Sequence, residues 1–187
     1  MRVGDRLIHF SEIVDAAPDA WRTPEGLAAD GSEFGEHRSL AFNVHAVRVA
    51  VDVQTGTVRI LQSVHAADAG FVMNPEQCRG QIEGGVAQGI GSALYEEVIL
   101  DGEGGVTNPV FRLYRVPQFA DIPHTEVYFA DTVDSLGPLG AKSMSESPYN
   151  PVAPALANAI ADATGVRMHE LPMSADRVWR ALRSQES

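Results

Sequence analysis

Between Gly137 and Pro154 the chain reads GPLGAKSMSESPYNPVAP, a run of Gly, Ser and Pro that carries a single carboxylate, Glu146, together with Lys142 and Met144. This composition predicts a surface loop, and an alanine-rich helix follows it. Glu146 stands between Ser145 and Ser147 and ahead of Pro148, close to backbone N–H groups that can hold an anion or a polar cofactor. A solvated loop glutamate is the commoner fate of any single Glu, and Lys142 has the same alternative. A second stretch, GQIEGGVAQGIGSALYEE over residues 80–97, places Gln81 and Gln88 among Gly80, Gly84, Gly85, Gly89 and Gly91. At about 100° per residue, Gln81, Gly85, Gln88 and Ser92 fall on one side of a helix, while Ile82, Val86, Ala93 and, more loosely, Ile90 occupy neighbouring faces. One face is then apolar and the other offers two amides beside bare backbone. The alternative is that the glycines only let the helix pack closely against another element.

Other constellations fail on spacing. There is no G-x-x-x-x-G-K-[ST], and no G-x-G-x-x-G follows a strand. The histidines, His9, His37, His45, His65, His124 and His169, include no pair at i, i+4 and no H-E-x-x-H, so each reads as a surface or packing residue and no metal ligand set is assigned. No G-x-S-x-G marks a serine hydrolase. Cys78 is the sole cysteine, so an internal disulfide is excluded, as is a structural Cys-based zinc site or iron–sulfur cluster held by this sequence alone.

The elements that must position these residues follow from periodicity. Residues 1–10 alternate well enough for a strand, and Ser11 is a suitable N-cap for a short helix after it. Residues 18–40 lack clear periodicity and read as an extended connecting segment. Val44, Ala46, Val49, Val51 and Val53 lead into Gln54-Thr55-Gly56, and Val58, Ile60 and Leu61 return, which predicts a β-hairpin. Asn74-Pro75 opens a helix expected over residues 75–97. The stretches EEVILDGEGGVT and HTEVYFADTV read as further strands. Helices follow from Ala153, Leu156, Ala157, Ile160 and Ala163, stopped by Gly165, and after Ser174. Hairpins and separate helices together predict an α+β fold of hairpins and mixed sheet with packed helices.

Composition limits the partners. The 187 residues are 44% hydrophobic and 21% charged, as expected of a folded protein. Fourteen basic against twenty-five acidic side chains give a net charge of −11, without a basic cluster, so nucleic acid is not an expected partner. Neither a signal peptide nor a run of roughly 20 apolar residues is present, so no membrane association and a cytoplasmic location are expected.

The stretches NPEQCRGQIEGGVAQGIGSALYEE, YRVPQFADIPHTEVYF and GPLGAKSMSESPYNPVAPALANAIADATG, in this order and at this spacing, resemble the carboxy-terminal part of the molybdenum-binding subunit of the xanthine dehydrogenase and aldehyde oxidase family, over roughly residues 40–183. The resemblance implies an oxidoreductase that hydroxylates a carbon of an aldehyde or N-heterocycle with water-derived oxygen. It implies a molybdenum–molybdopterin cofactor, with a cytosine dinucleotide form usual in bacterial relatives, and iron–sulfur and FAD centres on partner subunits. Glu146 matches the family's general base, which takes a proton from a molybdenum-bound hydroxyl. Gln81 matches the glutamine that hydrogen-bonds the pterin, with Gly85 and Gln88 beside it, and Lys142, Ser143, Met144 and Ser145 match the part of the loop that lies along the cofactor. Ser145 replaces a common glycine and Ser147 a common proline. Family subunits are several times longer, so residues 1–187 are expected to form a single partial domain, completed by the remaining part of the subunit and inactive alone. A non-catalytic assembly module that keeps the fold of this lobe is the alternative.

Overall fold

A computed structural model describes residues 2–24, 26–28, 30–31 and 37–185, and the chain divides into two units, Met1–Glu36 and His37–Ser187. In the first unit the strand expected over residues 1–10 turns back on itself at Gly4-Asp5, so that β1 (Arg2–Val3) pairs antiparallel with β2 (Arg6–Leu7). Helix α1 (Phe10–Ala16) follows; it starts one residue ahead of Ser11, with His9 in the cap position and no side-chain cap hydrogen bond. Of the segment 18–40, residues 25, 29 and 32–36 lie outside the described residues. The described part holds a 3₁₀ turn at Asp19–Trp21 and an antiparallel pair of short strands, β3 (Arg22–Thr23) and β4 (Gly26–Leu27).

The second unit is built on the hairpin of β5 (Phe42–Val51) and β6 (Val58–Asp68), paired antiparallel from Phe42 opposite Asp68 to Val51 opposite Val58, with a register shift between Arg48 and Val49. The turn is closed by Asp52, whose carbonyl oxygen accepts from the Gly56 N–H at 2.7 Å and whose carboxylate accepts from the Gln54 N–H at 2.9 Å. β7 (Thr125–Phe129) adds to β6 in parallel, from Ser63 opposite Thr125 to Ala67 opposite Phe129. A parallel neighbour needs a long crossover, and helix α2 (Pro75–Leu94) lies within it.

Asn74 caps α2 by accepting from the Gln77 N–H at 3.1 Å, with Pro75 in the first turn, as the sequence predicts. The helix ends at Leu94, short of the expected residue 97. Its glycines, each costing up to about 1 kcal/mol relative to Ala, are offset by complete burial of Ile82, Val86, Ile90 and Ala93. Helix α3 (Val152–Thr164) contributes Val152, Leu156 and Ile160 to the same core, and the sheet contributes Ala67 and Val127. Helix α4 (Ala175–Ser184), capped by Ser174, adds Val178, with Met173 just before it. Among the described residues no helix is long and apolar enough to cross a membrane.

One expected strand, EEVILDGEGGVT, is reduced to a single bridge. Residues 96–107 make only an isolated bridge between Leu100 and Val106. Across that turn the Asp101 N–H donates to the Gly105 carbonyl oxygen at 2.9 Å and the Thr107 N–H to that of Ile99 at 2.8 Å, and the buried side chain of Asn108 adds to them by accepting from the Ile99 N–H at 2.9 Å and donating to the Glu97 carbonyl oxygen at 2.6 Å. The architecture is α+β, with α2 and α3 packed on a three-stranded sheet.

Candidate functional site

Helix α2 and the loop over residues 137–151 run side by side, and their contacts advance one helical turn at a time. Gln81 donates its side-chain N–H to the Ser145 carbonyl oxygen at 2.5 Å. One turn on, a Cβ added at Gly85 would lie 3.0 Å from Pro148 Cβ, and two turns on a Cβ at Gly89 would lie 2.6 Å from Val152 Cβ. Residues four apart share a helix face, so Gln81, Gly85 and Gly89 form one strip on which the chain from Ser145 to Val152 is laid. Gly85 and Gly89 are buried under it, and there the packing explanation for the glycines holds.

Gly80 and Gly84 answer to a different requirement. They are exposed, and a Cβ added at either meets nothing within 4 Å. Beside them Gln81 and Gln88 are exposed as well, so this face of α2 presents bare backbone flanked by two amides. Close approach of a further group to the helix is what bare backbone permits, and among the described residues no packing accounts for it.

The loop brings Ser143, Met144, Ser145 and Glu146 past the first of these contacts. Ser143, Ser145 and Glu146 are exposed; Met144 is half-buried, packs against the core and lies 3.5 Å from the Ser147 hydroxyl. Glu146 precedes a 3₁₀ turn at Ser147–Tyr149, and its carbonyl oxygen accepts from the Tyr149 N–H at 3.0 Å. Buried Pro148 anchors that turn, and α3 begins only at Val152. Lys142 points elsewhere: its ammonium donates to Asp68 Oδ2 at 2.6 Å. Of the residues singled out in the sequence, Gln81, Ser145 and Glu146 are thus brought together, with Ser143 and Met144 on the same loop. Gln88 lies two turns along the helix without a contact to that loop among the hydrogen bonds described, and Gly85 is covered by Pro148.

Pairing in the sheet creates a buried polar cluster that sequence spacing alone does not reveal. His45 and His65 are direct cross-strand partners, 7% and 0% exposed, with ring centroids 5.4 Å apart. His45 Nε2 lies 2.9 Å from Ser63 Oγ, which lies 2.8 Å from Thr125 Oγ1, and His65 Nε2 lies 2.9 Å from Asn43 Oδ1. Burial and the neighbouring His65 pull the His45 pKa down to about 4, and burial lowers that of His65. Both rings are therefore neutral near pH 7 and act as packed hydrogen-bonding groups. Counting from the turn at Gln54-Thr55-Gly56 toward residues 45 and 65 is the signal that could have found this pair, with allowance for the register shift. Cys78 is free and half-buried, with its thiol pKa raised by burial. Among the described residues no three His, Cys, Asp or Glu side chains gather as a metal-ligand group.

An exposed amide and serine hydroxyls beside bare helix backbone, which permits close approach, suit a large polar organic cofactor more than a naked cation. Residues 2–123 match the family described as the molybdopterin cofactor-binding domain. The chain is 36% identical over 171 residues to the putative xanthine dehydrogenase molybdenum-binding subunit XdhA of Escherichia coli (strain K12), which covers 89% of this chain and 23% of that protein. It is also 36% identical over 157 residues to the aldehyde oxidoreductase molybdenum-binding subunit PaoC of the same organism, covering 81% of this chain and 21% of that one. Among solved structures, the aldehyde oxidoreductase of Desulfovibrio gigas superposes with a TM-score of 0.71 at 32% identity, over 76% of this chain and 15% of that one. The chain spans less than a quarter of the length of these relatives.

Proposed function

The chain belongs to the molybdopterin cofactor-binding domain family, and from that premise we propose that it supplies one wall of a molybdenum hydroxylase site, with Glu146 as the general base. The observation that carries this reading is the Gln81–Ser145 hydrogen bond, which ties the helix bearing bare backbone to the loop bearing the carboxylate. Gln81 and the Gly80–Gly84 strip would hold the pterin, and Ser143 and Ser145 would offer hydroxyl and backbone donors along it. Molybdopterin with its molybdenum, in a cytosine dinucleotide form or without it, would supply a two-electron acceptor and a Lewis acid.

Within that site Glu146 takes a proton at its carboxylate from the water-derived nucleophile as this attacks an electron-poor carbon of an aldehyde or N-heterocycle. The carboxylate is exposed on this chain, so the water-poor surroundings that raise a base's proton affinity must come from polypeptide laid over it. Apolar exposure elsewhere on the unit supports contact with further polypeptide: Phe119 is 99% and Phe111 86% exposed, and Val98, Leu100, Val106 and Val110 are also exposed. The remaining part of the molybdenum subunit, an iron–sulfur subunit and an FAD subunit are the partners this reading requires.

Co-expression with those partners, followed by assay of molybdenum and pterin, tests the proposal. Stoichiometric metal in the complex supports it. A stable complex without metal would favour a non-catalytic assembly module.

A further inference from the structure

Asp68 ends β6, and its carboxylate gathers donors from three separate segments. Lys142 Nζ donates to Oδ2 at 2.6 Å, Thr132 Oγ1 to Oδ1 at 2.5 Å, and the Gly70 N–H to Oδ1 at 3.2 Å. The ion pair is largely shielded, with side chains 13% exposed for Lys142 and 17% for Asp68. Phe42, directly opposite Asp68 in the ladder, places its ring centroid 5.9 Å from the same ammonium. The Asp68 carboxyl is held below its ordinary pKa, first by the hydrogen bond from Lys142 and then by that from Thr132. Backbone contacts follow the side chains: the Lys142 N–H donates to the Ala69 carbonyl oxygen and the Phe71 N–H to that of Gly140, both at 2.8 Å, and Gly70 bridges to Ala141.

The loop is therefore fastened twice. Residues 140–142 are fixed to the end of β6, and Ser145 is fixed to α2 by Gln81; only Ser143 and Met144 lie between the two attachments, and Glu146 comes directly after the second. We infer that Asp68 and Lys142 are positioning residues, whose ion pair sets the near end of the loop so that Ser143 to Glu146 are presented at a fixed place beside α2. This rests on the reading of Glu146 and Gln81 as cofactor-site residues, and it assigns the Lys142 ammonium to the loop's foundation instead of to the cofactor.

Hydrogen exchange on the assembled complex, read together with its molybdenum content, tests the inference. Asp68→Asn and Lys142→Met are expected to speed exchange in residues 139–146 by about tenfold or more while the β5–β6 hairpin stays as slow as in the parent. Molybdenum content should fall in both variants, and Lys142→Arg, which keeps the charge, should restore parental exchange and loading. Should Asp68→Asn fail to assemble, Thr132→Val removes a single donor and carries the same comparison. Parental exchange in the loop overturns the inference, and so does equal acceleration in the hairpin, which would mean that the pair only stabilises the fold. A parent complex that assembles without metal would sink the cofactor reading, yet the exchange comparison would still report whether the pair holds the loop.

Discussion

Gln81 and Ser145, 64 residues apart in sequence, are joined by a side-chain N–H donated to a backbone carbonyl oxygen at 2.5 Å. The bond spans the two stretches that stand out chemically in the sequence, the glycine-rich helix and the loop with the lone carboxylate. Because Gln81 is exposed on this chain, the bond itself is worth about 1 kcal/mol, and its larger effect is on where the loop sits. Gln81→Leu is expected to destabilise the chain by no more than about 1 kcal/mol while lowering molybdenum and pterin retention in the assembled enzyme. Metal assay after gel filtration checks this.

The glycines of α2 separate by test. Gly89→Ala would bring a methyl to 2.6 Å from Val152 Cβ, so it should destabilise the chain by about 1–3 kcal/mol through overpacking. Gly84→Ala meets nothing within 4 Å and should stabilise the isolated chain by up to about 1 kcal/mol. In the assembled enzyme the same Gly84→Ala should reduce pterin loading, because it fills the bare strip. Urea unfolding and pterin fluorescence give the two readings.

How much of this could be read in the sequence depended on the range of the interaction. The Asn74 cap, the Gln54-Thr55-Gly56 turn and the stop at Gly165 are local, and the structure places each where local chemistry puts it. The stretch EEVILDGEGGVT reads as a strand with a Gly-rich turn, but only a short antiparallel bridge forms across that turn, and Asn108 adds side-chain bonds to the Ile99 N–H and the Glu97 carbonyl oxygen, a reach of nine to eleven residues that leaves no periodic trace. Alternation cannot foretell that β7 joins β6 in parallel, since the partner is chosen by the path of α2. Of the site, the residue types and their two stretches were legible. The pairing of Gln81 with Ser145 was not, and neither was that of Lys142 with Asp68, because both are contacts across more than sixty residues.

The His45–His65 pair predicts acid sensitivity. His45 titrates at about 4 when folded, against about 6.5 unfolded, so between these values the unfolded chain binds more protons. The stabilising contribution is complete above about pH 6.5 and is lost as pH falls toward about 4, on the order of 3 kcal/mol for His45. Urea midpoints should therefore drop between about pH 7 and pH 4.5, and His45→Gln should flatten that dependence. An equal drop in the variant would assign the acid sensitivity to other groups.

The role given to Glu146 is tested most directly by Glu146→Gln in the assembled, metal-loaded enzyme, with single-turnover hydroxylation measured beside molybdenum and pterin content. The amide keeps the shape of the side chain but cannot take up the proton. Loss of hydroxylation with cofactor content unchanged is the predicted result; turnover at the parental rate would contradict the assignment of Glu146 as the base.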